Sequence, residues 1–193
     1  MMASFAGPNE AEMVMRAALA LGLVLLMGTA MPVLAFGTQS VPTDLKLDDC
    51  TIASTNDLET VWACPGYKGI PVMVRKAQTR STLSFGLTST TEKAANELLP
   101  AGWSPSPTID WRLSNRAGKW TPFATIAHFA GPDGGDVLVV SRLGAGTTCQ
   151  MAFVDAKANA DAEAQAEAAA DAHGFDFDCS KDQPATLGTF RAW

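Results

Sequence analysis

Four cysteines, at positions 50, 64, 149 and 179, narrow what this chain can fold into, because all four follow an apolar N-terminal segment. Ala17 to Ala35 carries no charge, and Arg16 stands directly before it. Leu19 to Met27 is its apolar centre. Gly28, Thr29 and Pro32 interrupt it, and Val33-Leu34-Ala35 supplies the small or medium residues of a cleavage site. A positive residue, a short apolar run and a small-residue cleavage site, in that order, predict a secretory signal peptide over residues 1–35. A membrane anchor needs about 20 apolar residues. This run reaches that length only if Gly28, Thr29 and Pro32 are included. Glu10 and Glu12 are unusual ahead of such a run, so the expected start of translation is Met13 or Met15.

Export places the cysteines in an oxidising compartment, periplasm or medium, where an even number reads as disulfides. Three pairings are possible in principle, and proximity favours Cys50–Cys64 and Cys149–Cys179. Each bridge is expected to add about 2–4 kcal/mol. A zinc site would need close pairs such as C-x2-C, which these spacings do not offer.

Residues 36–193 have the size of one domain. The chain carries 20 acidic and 14 basic residues, a net charge of −6. Removing residues 1–35 takes away Arg16, Glu10 and Glu12 and brings that charge one unit nearer zero. An acidic balance argues against nucleic acid as a partner, since phosphates call for clustered Lys and Arg.

Within that domain, residues 36–49 read as an extended N-terminal segment and 50–180 as a single disulfide-linked α+β domain. Strands are expected at Glu59 to Cys64, Ile70 to Arg75 and Ser81 to Leu87, with Pro65-Gly66 marking a turn. Ser89-Thr90-Thr91-Glu92 fits a capping box, predicting a short helix that stops before Pro100. Ala101 to Thr108 reads as a loop. Ile109, Trp111 and Leu113 alternate with polar residues, and Phe123 to Phe129 is a further strand. Asp136 to Leu143, with Val137-Leu138-Val139-Val140, reads as a central strand covered on both faces. Thr148 to Asp155 is the last strand. A helix is expected from Ala160 to His173, with Asn159 as N-cap and Gly174 at its end. Residues 181–193 read as an irregular tail, with Phe190 and Trp193 docking on the domain. The expected sum is one antiparallel sheet of about six or seven strands with one short and one Ala-rich helix, an α+β fold.

No catalytic motif stands out. Gly-x-Ser-x-Gly, Ser-x-x-Lys, His-Glu-x-x-His and P-loop patterns are all missing from the sequence. His128 sits in a strand and His173 ends a helix, where a cation suits the dipole. Asp133 with Asp136, and Asp176 with Asp178, lack the spacing of a calcium loop. No catalytic residue, metal ligand or cofactor is therefore expected. Trp62 and Trp111 are assigned to the core. Tyr67, Lys68 and Trp103 lie near turns and are the candidate partner-binding residues.

Trp62-Ala63-Cys64-Pro65-Gly66-Tyr67, then Asp110-Trp111-Arg112, Pro122-Phe123-Ala124-Thr125-Ile126 and Val137 to Leu143, resemble a group of small exported bacterial proteins without known activity. The resemblance spans most of residues 50–179 and implies a compartment and a shared domain. A more distant likeness is to periplasmic lysozyme inhibitors, which are also small, β-rich and disulfide-linked and share an aromatic-x-Cys-x-Gly start. It implies a non-enzymatic binding or inhibitory domain acting on an envelope or secreted protein such as a lysozyme. The Ala-rich helix departs from that pattern, and no functional residue carries over. The alternatives are an envelope hydrolase using carboxylates such as Asp110 or Asp136, and a structural envelope component.

Overall fold

The computed structural model describes residues 36–191, and the expected signal segment and Trp193 lie outside them. Ten strands follow one another: β1 (Thr38–Asp44), β2 (Thr51–Thr55), β3 (Glu59–Cys64), β4 (Val72–Ala77), β5 (Arg80–Phe85), β6 (Ser104–Ser114), β7 (Thr121–Ala130), β8 (Asp136–Arg142), β9 (Cys149–Asp155) and β10 (Ala185–Leu187). One α-helix, α1 (Ala162–His173), sits between β9 and β10. The strands form two sheets, a six-stranded one ordered β1-β6-β7-β8-β9-β10 and a four-stranded meander β2-β3-β4-β5. Every pairing is antiparallel except β9 with β10. The fold is α+β, but the single antiparallel sheet expected from the sequence is replaced by two sheets, one of them mixed.

The reason is the inward face of the meander. Cys64, Val72, Val74, Leu83 and Phe85 are buried and share one core with Ile109, Trp111, Leu113, Phe129, Val137 and Val139 of the larger sheet. Such a face cannot extend the larger sheet edge to edge, because its apolar side chains need a cover. The opposite face of the larger sheet packs on α1 through Ala124, Ile126, Leu138, Val140, Ala152 and Val154. Strand β8 is therefore covered on both sides, as its unbroken Val and Leu run implies.

Three segments differ from expectation, and a fourth gains a partner: residues 38–44, read as extended, form the edge strand β1 along β6. An edge tolerates Pro42 and leaves polar side chains in water, so neither disqualified the segment. Strand β6 begins at Ser104, inside the expected loop, and absorbs Pro105 and Pro107 in an irregularity before Ile109. The tail contributes β10, whose three exposed residues had no periodicity to reveal them. The short helix is two 3-10 turns, Ser89–Thr91 and Lys93–Asn96. Glu92 does not reach back to Ser89. Its carboxylate accepts the Thr148 N–H at 2.8 Å and the Thr88 hydroxyl at 2.7 Å. Glu97 accepts the Gln150 N–H at 2.6 Å. The two carboxylates thus satisfy the start of β9 where β10 does not reach, and these tertiary bonds hold the turns open.

The Ala-rich helix forms over Ala162–His173 with Asp161 at its N-cap. Asn159 instead donates from Nδ2 to the carbonyls of Asp155 and Leu187. Gly174 ends the helix in right-handed backbone (φ −59°). Its role is space, since a Cβ there would stand 2.6 Å from the Phe123 ring. Both disulfides favoured by proximity, Cys50–Cys64 and Cys149–Cys179, are formed.

Among the described residues two buried hydroxyls are unsatisfied, Ser89 Oγ in the turn after β5 and Thr125 Oγ1 in the sheet. Thr125 is fully buried and its Oγ1 has no hydrogen-bond partner. A buried hydroxyl without a partner costs about 1–3 kcal/mol. Thr125→Val keeps the shape and removes that cost, so the variant is expected to raise the thermal midpoint. A lowered midpoint in calorimetry would show that Thr125 has a partner in solution.

Candidate functional site

The two-sheet body has two ends, and the candidate binding residues divide between them. At one end lie the β3–β4 connection, the segment after β5, the β6–β7 turn and the β8–β9 loop. Pro65 and Gly66 lead into a 3-10 turn, Tyr67–Gly69. Gly66 permits a close approach: a Cβ there would meet the Ile70 carbonyl at 2.3 Å and the Trp111 ring at 2.9 Å. Lys68 takes left-handed backbone at φ 47°. The Tyr67 ring packs 6.0 Å from that of Trp111, and the Lys68 ammonium stands 5.1 Å over the Tyr67 ring. The Gly86 N–H donates to the Pro71 carbonyl and joins this turn to Leu87, which is 92% exposed.

The β8–β9 loop, residues 143–148, is the centre of that end. A cavity of about 340 Å³ lies between it and Ile70, Leu87 and Glu92. A second, of about 630 Å³, separates it from Phe177 and Cys179, with Lys93 and Arg142 on its walls. A third, of about 280 Å³, holds Arg116, Arg142, Phe123 and Phe175. The loop is tied at its base. Arg142 donates from Nη1 to the Thr147 carbonyl and hydroxyl, at 3.2 and 2.6 Å. Glu92 holds Thr148, and the Cys149–Cys179 bridge closes the far side. Burial acts to raise the Glu92 pKa, but hydrogen bonds from Thr148 and Thr88 outweigh it and hold the group below the usual glutamate range. It is ionised there and accepts both bonds.

Trp103 belongs to the opposite end. It precedes β6, eight residues before Trp111, a separation of roughly 25 Å along a strand. The β7–β8 turn wraps its ring: a Cβ at Gly131 or Gly135 would come within 2.6 or 2.9 Å of it. Phe190 meets the ring edge-on at 5.0 Å. Trp103 borders a separate cavity of about 560 Å³ with Asp136, Lys157 and Arg191. Tyr67 and Lys68 therefore share a surface, and Trp103 does not join them.

The carboxylates proposed for hydrolysis lie on the face of the larger sheet that carries α1. Glu163, Glu167 and Asp171 recur every four residues along that helix and so occupy one side of it. Asp171 takes Arg112 by two bonds, Nε to Oδ1 at 2.8 Å and Nη2 to Oδ2 at 2.6 Å. Burial acts to raise the Asp171 pKa, and the Arg112 and Thr38 hydrogen bonds overcome this and lower it. Glu167 accepts the Ser40 hydroxyl at 2.7 Å and stands 3.2 Å from Arg112. His128 lies between Asp136, 3.0 Å from Nδ1, and Glu163, 2.5 Å from Nε2. Asp110 neighbours His128, Glu163 and Glu167, and burial raises its pKa. Among the described residues no cluster of His, Cys, Asp or Glu is arranged to hold a metal.

This seam has a pH dependence. Burial acts to lower the His128 pKa, but hydrogen bonds to Asp136 and Glu163 win and raise it above 6.5. Both ring nitrogens face acceptors, so the imidazolium is the form that satisfies them. A raised folded pKa gives stability that is complete below the unfolded value and lost as pH rises through the folded one. Asp110, also raised, acts in the same direction but from a lower pH, beginning at its unfolded value of 3.8, so the decline past 6.5 belongs to His128. The seam is thus expected to weaken as pH rises past about 6.5, by less than about 1 kcal/mol because its acids are part-exposed. Stability measured against pH should show this decline in the native protein and lose it in His128→Gln. An identical profile in both would remove His128 from the seam.

Arg116, Arg142, Leu87 and Phe175 had no signal in the sequence. The two arginines are far apart in the chain, and only the β7–β8 pairing, with Ala124 opposite Arg142, brings them to one cavity. Comparison of the chain with protein-family models, curated proteins and solved structures found no match in any of the three. The class is therefore set by the structure alone: an α+β domain with two disulfides and a two-sheet core. Among the described residues no helix is long and apolar enough to cross a membrane.

Proposed function

We propose that residues 36–193 are an exported, non-enzymatic binding domain of the periplasm or medium, released by removal of residues 1–35. Its partner is an envelope or secreted protein, and lysozymes are the first group to test, as inhibited targets. The observation that carries this reading is the convergence of three cavities on the β8–β9 loop, which is tied by a disulfide and flanked by the exposed Leu87. Rigid concave surfaces with an exposed apolar residue suit protein recognition, because little order is lost on docking. Tyr67 and Lys68 extend the same surface. The titratable groups best placed for catalysis are occupied in holding the fold: His128 by Asp136 and Glu163, Glu92 and Glu97 by backbone N–H groups.

The test is capture of lysozymes and envelope proteins on the oxidised, immobilised protein, with two variants alongside. Leu87→Asp is expected to abolish saturable capture. Lys157→Ala, at the Trp103 end, is expected to leave it intact. Equal capture by both variants would place recognition elsewhere.

A second reading, envelope-polymer hydrolysis, draws on the raised pKa of Asp110, a property suited to a general acid. Polymer turnover that vanishes in Asp110→Asn would establish it in place of the binding role.

A further inference from the structure

The smallest of the three cavities is built against the charge of the whole chain. Acidic residues outnumber basic ones, 20 to 14, yet the walls of this cavity of about 280 Å³ carry two guanidinium groups and no carboxylate. Neither Arg116 nor Arg142 forms an ion pair among the described residues. Arg142 directs only Nη1 to protein acceptors, both on Thr147. Its Nε is buried without a partner. Asp171, which feels the Arg116 charge, is already held by two bonds to Arg112.

The second wall is aromatic. Phe175 stacks on Phe123 with ring centroids 4.4 Å apart and planes 18° from parallel. The Arg116 guanidinium lies 4.0 Å from the centre of the Phe175 ring. That stack orients an otherwise exposed arginine, so its fork is pre-set rather than free in solvent. Gly174 is part of the wall and cannot carry a side chain without striking Phe123.

We infer that this cavity binds a carboxylate carried on a flat apolar body. Arg116 offers a forked N–H pair that matches the two oxygens of a carboxylate, and Arg142, with Nη1 held by Thr147, adds Nη2 and its charge. The Phe123–Phe175 wall offers apolar ring edges to an aromatic or other planar group, since the Phe175 faces are covered by Phe123 and Arg116. The volume lies just below the roughly 300–1,000 Å³ common for small-molecule pockets, which favours a ligand about the size of one substituted ring. The inference deepens the proposed function by naming the ligand chemistry at the same end of the molecule. The carboxylate can come from a free aryl acid or from the C-terminus of a chain ending in phenylalanine.

Titration of the full-length oxidised protein, followed by amide NMR, tests this with four probes: benzoate, benzamide, N-acetyl-Gly-Phe and inorganic phosphate. Benzoate or N-acetyl-Gly-Phe is expected to shift the Ala117, Leu143 and Phe175 resonances saturably, and the tighter of the two identifies the source. Benzamide, which keeps the ring and loses the charge, is expected to bind about tenfold more weakly, the loss of one charge-assisted interaction. Arg116→Gln, at an exposed position, is expected to weaken the carboxylates similarly while the rest of the spectrum stays unchanged. Arg142→Lys keeps the charge but not the planar guanidinium that Thr147 holds in place, and is also expected to weaken them. Carboxylate shifts of the same strength in Arg116→Gln, or phosphate binding as tightly as benzoate, would overturn the inference. Failure here with lysozyme capture still dependent on Leu87 leaves the binding-domain reading standing. Saturable benzoate with no capture would remove the protein partner and keep the small-ligand site.

Discussion

Trp111→Ala is expected to cost about 3–5 kcal/mol of folding stability, the range for deleting a large buried aromatic side chain. Trp111 has no exposed surface and lies where the two sheets face each other. Phe85 of the meander meets its ring edge-on at 5.6 Å, and Tyr67 covers it at 6.0 Å. Its Nε1–H donates to the Thr43 hydroxyl at 2.7 Å, which ties edge strand β1 to the same point. Alanine would open a cavity bounded by two sheets, and neither can close it without breaking its own ladder. A domain of this size has about 5–15 kcal/mol in all, so the variant should shift the denaturant midpoint by a large fraction. Trp111→Phe retains the contact with Phe85 and loses the bond to Thr43, and is expected to recover more than half. The effect reaches the binding end as well, because Gly66 and Tyr67 rest on the Trp111 ring. The partner capture proposed above should therefore weaken in Trp111→Phe more than the stability loss alone explains. A cost below about 1 kcal/mol for the alanine variant would mean that the sheets are not packed through this residue.

What could be read in the sequence were the elements with an internal period or a covalent constraint. Val137 to Val140 announces a strand covered on both faces, and β8 is one. The alanines of residues 162–170 announce a helix that lies close to a sheet, and Ala162, Ala166 and Ala170 are its buried face. The two short cysteine loops announce their own pairing. Pairings between distant segments left no such trace. Strands β1 and β10 are edges with exposed, polar or short sequences, and their evidence lies in β6 and β9 rather than in themselves. The capping-box pattern at Ser89–Glu92 is a local preference that lost to the Thr148 N–H, 56 residues away. The candidate site shows the same limit. Tyr67 and Lys68 were visible because a Pro-Gly turn precedes them. Trp103 had equal local credentials, and only the packing of Gly131 and Gly135 on its ring shows that it serves another end. Arg116 and Arg142 become a pair only through sheet register.

Arg112→Met is the second large effect, expected at about 2–3 kcal/mol. Breaking a buried ion pair by removing one partner costs about 3–5 kcal/mol. The lower figure applies here because Asp171 and Glu167 retain side-chain exposures of 32% and 41%. The helix α1 explains why one arginine matters so much. Its buried residues are alanines, which remove little apolar area from water. Its hold on the sheet therefore leans on the acid row, where Arg112 alone meets both Glu167 and Asp171. Without it, Asp110, Glu163, Glu167 and Asp171 remain together with only His128 and the more distant charge of Arg116 to offset them. Arg112→Lys keeps the charge but cannot reproduce the paired bonds to Asp171, and should fall between native and Arg112→Met. The double variant Arg112→Met/Asp171→Leu should regain part of the loss, since the stranded carboxylate is gone. Hydrogen exchange is the decisive readout. Amides of residues 162–173 should lose protection first in Arg112→Met, while β7 and β8 keep theirs. Uniform loss of protection across helix and sheet would show that Arg112 supports the whole core rather than the docking of α1.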